Sequence, residues 1–178
     1  MSDNLYDSPV RHWTGKDFPL IGVVKVDGVS YRFMGTEELE MNAIVPTSQQ
    51  GDWTGQYTTE KPAGDWTSAG YDDSKWKSDR GAFGTKENEP TAKTQWGTRN
   101  IWVRRTVNID RDLTGIPVYL EFSNDDDAVF YINGVKIHGT GTTCNKNKVV
   151  KLPDEALAVL KQGDNIIAAE CINPVGNG

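Results

Sequence analysis

The sequence predicts an all-β protein, an antiparallel β-sandwich with an N-terminal β-hairpin extension. Short apolar and β-branched runs recur with period-two patterning. Asn133-Gly134 and Asp27-Gly28 each stand between two such runs, and a type I′ turn needs φ > 0 at both central positions. Glycine (18) and proline (8) are frequent, which suits a loop-rich β protein better than a helical one. The 178 residues suffice for one real core, or for one domain with a small appendage.

Each element follows from local pattern. In residues 101–108 and just beyond, Ile101, Val103, Val107 and Ile109 share a face with Arg105, so Arg105 must snorkel or find a carboxylate. In residues 118–122, Val118, Leu120 and Phe122 point one way, Tyr119 and Glu121 the other. Residues 128–138 form a hairpin turning at Asn133-Gly134, with Ala128, Phe130 and Ile132 on one face. Residues 166–172 are apolar on both faces apart from Glu170, as a central strand covered on both sides would be. Only residues 153–161 read as helix, begun by Pro153 and stopped by Gly163.

Two regions differ in character. Residues 1–48 form an irregular start followed by a hairpin, Leu20–Val26 against 29–34. An isolated hairpin is marginal in water, so this one is expected to dock on a neighbour. Residues 49–178 carry the sandwich. Within them, 51–94 is poor in aliphatics but contains Trp53, Trp66 and Trp76. Buried indoles would pin such loops to the sheet, and an exposed sugar platform is the less favoured reading.

Composition excludes some partners. The formal net charge is −6 and the basic residues are scattered, which argues against a nucleic acid. No apolar run approaches the roughly 18–20 residues of a membrane-spanning helix, so no membrane insertion is expected. The polar, acidic start is no signal peptide.

Candidate sites are few. The run Asn124-Asp125-Asp126-Asp127 is the strongest by composition, because adjacent carboxylates repel unless a cation or N–H groups compensate. Neighbours in a strand point to opposite faces, so three acids converge on one ion only through a bulge or turn. A solvated turn is the favoured reading of Asp125, Asp126 and Asp127; Ca²⁺ or a ligand contact is the sharper one. Arg11-His12-Trp13 places a cation, an imidazole and an indole in one loop before the hairpin, as a docking surface would. Cys144 and Cys171 are a candidate disulfide, worth roughly 3 kcal/mol in the chain-entropy model; a free thiol in an apolar strand is the competing reading. His138 and Cys144 lack the third group and oxyanion donors of a catalytic pair. No catalytic residue is assigned.

Two resemblances arise from these residues. Trp76-Lys77, Gly81-Ala82-Phe83-Gly84, Ile101-Trp102-Val103-Arg104-Arg105-Thr106-Val107, Asp126 to Asn133-Gly134, and Leu160 to Asn165-Ile166-Ile167-Ala168 follow the order seen in galactose-binding-like jelly-roll domains. Such modules accompany many glycoside hydrolases. Asp3-Asn4-Leu5-Tyr6, Arg11-His12-Trp13-Thr14-Gly15-Lys16, Gly22 to Val26-Asp27-Gly28, and Tyr31-Arg32-Phe33-Met34-Gly35 resemble the N-terminal region of glutaminase A-like proteins of fungi and Bacteroides-type bacteria. Gly84 to Pro90 and Thr94-Gln95-Trp96-Gly97-Thr98 resemble that family too.

The second resemblance implies a non-catalytic domain of a secreted or periplasmic glutaminase-like hydrolase, docked on the catalytic domain of the same polypeptide. The first implies a carbohydrate-binding module as the alternative. Galactose-binding-like modules usually continue with another strand beyond the Asn-rich turn, so a sandwich truncated at its C-terminus is expected.

Overall fold

The computed structural model describes residues 20–26, 29–35, 42–86 and 91–173, with backbone alone for the first two stretches. Arg11, His12, Trp13 and the Asp27-Gly28 pair lie outside the described residues. The chain divides into two compact units, Met1–Asn42 and Ala43–Gly178. In the first unit β1 (Leu20–Val26) pairs antiparallel with β2 (Val29–Gly35). The register runs from Leu20 opposite Gly35 to Val26 opposite Val29, so two residues connect the strands, as expected.

The second unit is the predicted β-sandwich. Its elements in chain order are β3 (Thr54–Thr58), β4 (Lys77–Arg80), β5 (Phe83–Gly84), β6 (Thr94–Gln95), β7 (Asn100–Ile109), β8 (Tyr119–Asn124), β9 (Asp127–Ile132), β10 (Val135–Gly139), β11 (Asn145–Lys151), α1 (Asp154–Leu157) and β12 (Gly163–Ile172). A six-stranded sheet has the order β10-β9-β12-β7-β3-β4. β8 and β11 form a two-stranded antiparallel sheet, and β5 and β6 a short parallel pair.

β12 is central because it can be. Its apolar face and its small residues Ala168 and Ala169 let it pair with β9 on one side and β7 on the other. Ala128, Phe130 and Ile132 of β9 stand opposite Cys171, Ala169 and Ile167. That shared face packs on the β8–β11 sheet through Phe122, with Ile137, Leu152 and Ala156 completing the core. The Phe122 and Phe130 rings lie 4.5 Å apart.

The β9–β10 hairpin turns where expected, with Asn133 at φ 47° and Gly134 at φ 91°. The Asn133 side chain does more than turn. Its Nδ2 donates to Val159 O (2.7 Å) and Asn165 Oδ1 (2.8 Å), and its Oδ1 accepts from Ile166 N (2.8 Å). Asn165, 1% exposed, donates to Lys161 O (2.7 Å) and Gly163 O (3.0 Å) and accepts from Lys161 N (3.1 Å). The helix expected within 153–161, a turn or two at most, is Asp154–Leu157, and the Asn165 amide then binds both backbone groups of Lys161.

The opposite face of the large sheet is covered by the loop between β3 and β4. Tyr131, Ala168 and Arg104 form one cross-strand row on that face. Trp66 packs edge-on against Tyr131 at 5.6 Å and lies 6.3 Å from Trp76, and Tyr71 meets Trp76 at 5.8 Å. The indoles thus pin the loop. Arg104, only 2% exposed, is the polar centre of this layer. Its Nε donates to Asp73 Oδ2 at 2.6 Å, and Nη1 donates to the Trp66 and Ser68 carbonyls.

Arg105 snorkels, as the patterning required, but its partners are a carbonyl and a ring. Nη1 donates to Pro46 O at 2.9 Å, and the guanidinium lies 4.7 Å from the Trp53 ring centroid. Gly55 and Gly81 accommodate that indole: a Cβ on either would come within 3 Å of it.

Removing Arg104 leaves Asp73 and two carbonyls without their buried donor. Arg104→Ala is expected to cost about 3–5 kcal/mol, read as a drop in the urea unfolding midpoint. An unchanged midpoint would mean that the outer layer is not held this way.

Candidate functional site

Several polar side chains gather at the turn between β8 and β9. Asn124 ends β8 and Asp127 begins β9, so Asp125 and Asp126 carry the chain from one sheet to the other. Asp126 is left-handed, at φ 58°, a conformation that Asp tolerates better than most residues. Asn124 fixes the turn: its Nδ2 donates to Asp126 O (2.5 Å) and Thr143 O (3.0 Å), and its Oδ1 accepts from Asn145 Nδ2 (2.9 Å). Thr140 Oγ1 accepts from Ala128 N at 2.8 Å and donates to Gly141 O at 2.9 Å. Backbone groups are consumed by this network, and the carboxylates face outward from it.

The turn supplies the kink that the acidic run needs, for two of its three members. Asp125, Asp126 and Cys144 each bring one ligand-type atom to within 4.8 Å of the others. Asp127 instead stands in the ladder opposite Ile172.

Cys144 and Cys171, the candidate disulfide, are both free thiols. Cys144 Sγ donates to Asp125 Oδ1 at 2.9 Å and lies 3.9 Å from Asp126 Oδ1; Cys171 Sγ donates to Asp125 O at 3.3 Å. Each thiol finds an oxygen of the same residue. The hydrogen bond to Asp125 pushes the Cys144 thiol up. Burial, reinforced by the Asp125 charge, pushes Cys171 up to about 12. A nucleophilic cysteine needs the opposite shift.

His138 does not join them. It stacks against Phe122 at 5.5 Å, and its Nε2 is buried without a hydrogen-bond partner. Burial lowers its pKa, and Lys148 and Lys136 lower it further. Asn100 and Asn173 likewise carry buried side-chain oxygens without partners, at the start of β7 and just beyond β12. Among the described residues it is Asp73 that pairs with Arg104. No helix of the described residues is long and apolar enough to cross a membrane.

Sequence reasoning missed Arg104 and the Asn133–Asn165 pair as structural centres. The signal was present for the asparagines, since both sit at turns beside apolar strands. For Arg104 it was not, because Asp73 is 31 positions away.

Set against solved structures, the sandwich is similar in fold to a minor part of several large glycoside hydrolases. A β-glucuronidase of glycoside hydrolase family 2 is similar with a TM-score of 0.52 and 20% identity, over 76% of this chain and 15% of that one. Bacteroides uniformis β-glucuronidase 2 is similar with a TM-score of 0.50 and 16% identity, over 70% and 15%. A glycosyl hydrolase family 2 member from Bacteroides cellulosilyticus DSM 14838 is similar with a TM-score of 0.50 and 17% identity, over 70% and 18%. The chain therefore spans less than a fifth of each of these relatives. A family model described as a domain of unknown function, DUF4964, matches residues 1–46. No curated protein matches the sequence.

His138 has a testable consequence. Its folded pKa lies below the unfolded value of about 6.5, so the unfolded chain binds its proton more readily. The stability this linkage contributes is present above pH about 6.5 and is lost as pH falls through the folded value. The urea midpoint is expected to fall between pH 7 and 5, and to fall less in His138→Gln. Equal pH slopes in the two chains would rule His138 out.

Proposed function

We propose that this chain is a non-catalytic β-sandwich portion of a larger glycan-degrading hydrolase, serving to hold and orient the catalytic part. The observation that carries the reading is the likeness of the sandwich to a minor part, about 15%, of β-glucuronidase chains. Two features agree with it. Trp53, Trp66 and Trp76 are engaged in packing against Phe83, Arg105 and the rings of the β3–β4 loop and Tyr131, which favours scaffold over sugar platform. Both cysteines have raised pKa values, which suits structure rather than nucleophilic attack. In this reading the Arg11-His12-Trp13 loop belongs to the docking surface, and the parent acts outside the cytoplasm, where polymeric glycans are met.

A second reading has its own observation. The N-terminal residues that resemble glutaminase A-like proteins coincide with the stretch matched by the family of unknown function, 1–46. Under it the parent hydrolyses an amide, and the sandwich keeps the same supporting role.

Parent and chain separate these readings. The chain alone is expected to turn over neither an aryl glucuronide nor L-glutamine, and to associate saturably with the catalytic portion of its parent. The parent is expected to hydrolyse glycosides. Turnover by the chain that survives repurification overturns the scaffold role; a parent active on glutamine but on no glycoside selects the second reading.

A further inference from the structure

We propose that the free edge of β7 beside residues 44–46 is a docking site for an extended peptide with an acidic side chain, which adds to the sheet as a further strand and pairs with Arg105. The site does not depend on which reaction the parent performs. Three observations carry it: an unpaired backbone edge, a cleft beside that edge, and a guanidinium with donors to spare.

The edge follows from the ladder. Ile166 N donates to Asn133 Oδ1 and Ile166 O accepts from Asn133 N, so both backbone groups of Ile166 turn away from β7. Ile166 stands opposite Thr106. Bonded and non-bonded pairs alternate along an antiparallel ladder. Thr106 and Asn108 therefore direct their N–H and C=O groups away from β12. On that side β3 pairs with Trp102, Val103 and Arg104 and goes no further. Thr106 and Asn108 are both exposed, and no described loop bonds to their backbone. An added strand uses such a row of unpaired donors and acceptors.

A cleft of about 180 Å³ lies between this edge and residues 44–46, with Ile44, Val45 and Val107 in its wall. That is below the roughly 300–1,000 Å³ of pockets for drug-sized ligands. The apolar wall suits the aliphatic side chains of an extended segment.

Arg105 supplies the selection by charge. A guanidinium has five N–H donors, and here one hydrogen bond is made, from Nη1 to Pro46 O at 2.9 Å. The Trp53 ring, 4.7 Å away, holds the group in the cleft wall. The described arginine ion pairs belong to Arg80, Arg104 and Arg111, and none to Arg105. Burial without an anion lowers its pKa, and a bound carboxylate reverses that direction. Residues opposite one another in a ladder share a face, so an acid opposite Arg105 on the added strand meets the guanidinium.

The test uses the whole chain, labelled with nitrogen-15, and the probe acetyl-Thr-Val-Glu-Val-Thr-amide. Binding is expected to saturate, to shift the amide resonances of residues 105–108, and to slow hydrogen exchange at Thr106 and Asn108. Gln in place of the probe's Glu should weaken binding about 10-fold, the worth of one charge-assisted bond. Arg105→Gln should abolish that difference. Thr106→Pro, which removes an edge N–H but leaves Arg105 and the β12 ladder in place, should weaken both probes alike. The comparison of the two probes needs no variant, so it decides the matter even where Arg105→Gln does not fold. Failure to saturate, shifts confined to other strands, equal affinity for the two probes, or the same shifts from acetate alone would each overturn the proposal. Dimerisation through residues 105–108, seen by sedimentation, would give the edge to a second copy and overturn it too.

Discussion

The sandwich depends on one amide pair, half-buried Asn133 with buried Asn165. An asparagine side chain has two donors and an acceptor that takes two bonds, and burial without partners costs about 1–3 kcal/mol per orphaned group. Here every described demand of Asn165 is met, by Lys161, Gly163 and Asn133. The consequence is topological. Asn133 sits at the tip of the β9–β10 hairpin, Asn165 at the start of β12, and their contact brings the hairpin to the strand that must pair with it. Register between β9 and β12 then follows, because Ile132 and Ile167 are the next residues on each strand to meet. A one-residue slip would turn Phe130 and Ile132 out of the core and break the amide pair together. Packing and hydrogen bonding thus select the same alignment.

Arg104 does for the outer face what the asparagines do for the edge. A central sheet with only one covered face would leave Ala168 and Tyr131 wet. The β3–β4 loop has few aliphatics with which to cover them, so it uses large rings anchored by a charge. The guanidinium fork meets one carboxylate and two carbonyls at once, which a lysine's single ammonium could not match in geometry. The loop is consequently part of the fold rather than a free surface, and this is why its tryptophans do not form an open platform for sugar rings.

Much of the fold was legible in the sequence, and the parts that were not share a cause. Strands β7, β9, β10 and β12, and the turn at Asn133-Gly134, announce themselves by apolar alternation and turn chemistry within a window of a few residues. β4 (Lys77–Arg80), fully exposed, and β11 (Asn145–Lys151), largely polar, have no such alternation. They are edge strands, stabilised by backbone pairing to a neighbour, and their side chains are those that edges tolerate. β3 was obscured by Gly55, a residue present because Trp53 and the Arg104 carbonyl approach too closely for a side chain. At the acidic turn, composition did not show how the residues group. That Asp127 would enter the ladder while Asp125 and Asp126 stayed with Cys144 depends on where β8 ends, which a run of three identical residues cannot specify. Arg11, His12 and Trp13 lie outside the described residues.

The two thiols clarify what kind of chemistry this domain supports. A cysteine becomes reactive when its surroundings favour the thiolate, by a cation, a helix N-terminus or an imidazolium. At Cys144 and Cys171 the nearest oxygens are acceptors from one aspartate, so each thiol is held in its protonated form. An acidic turn with thiols therefore resists covalent chemistry through cysteine.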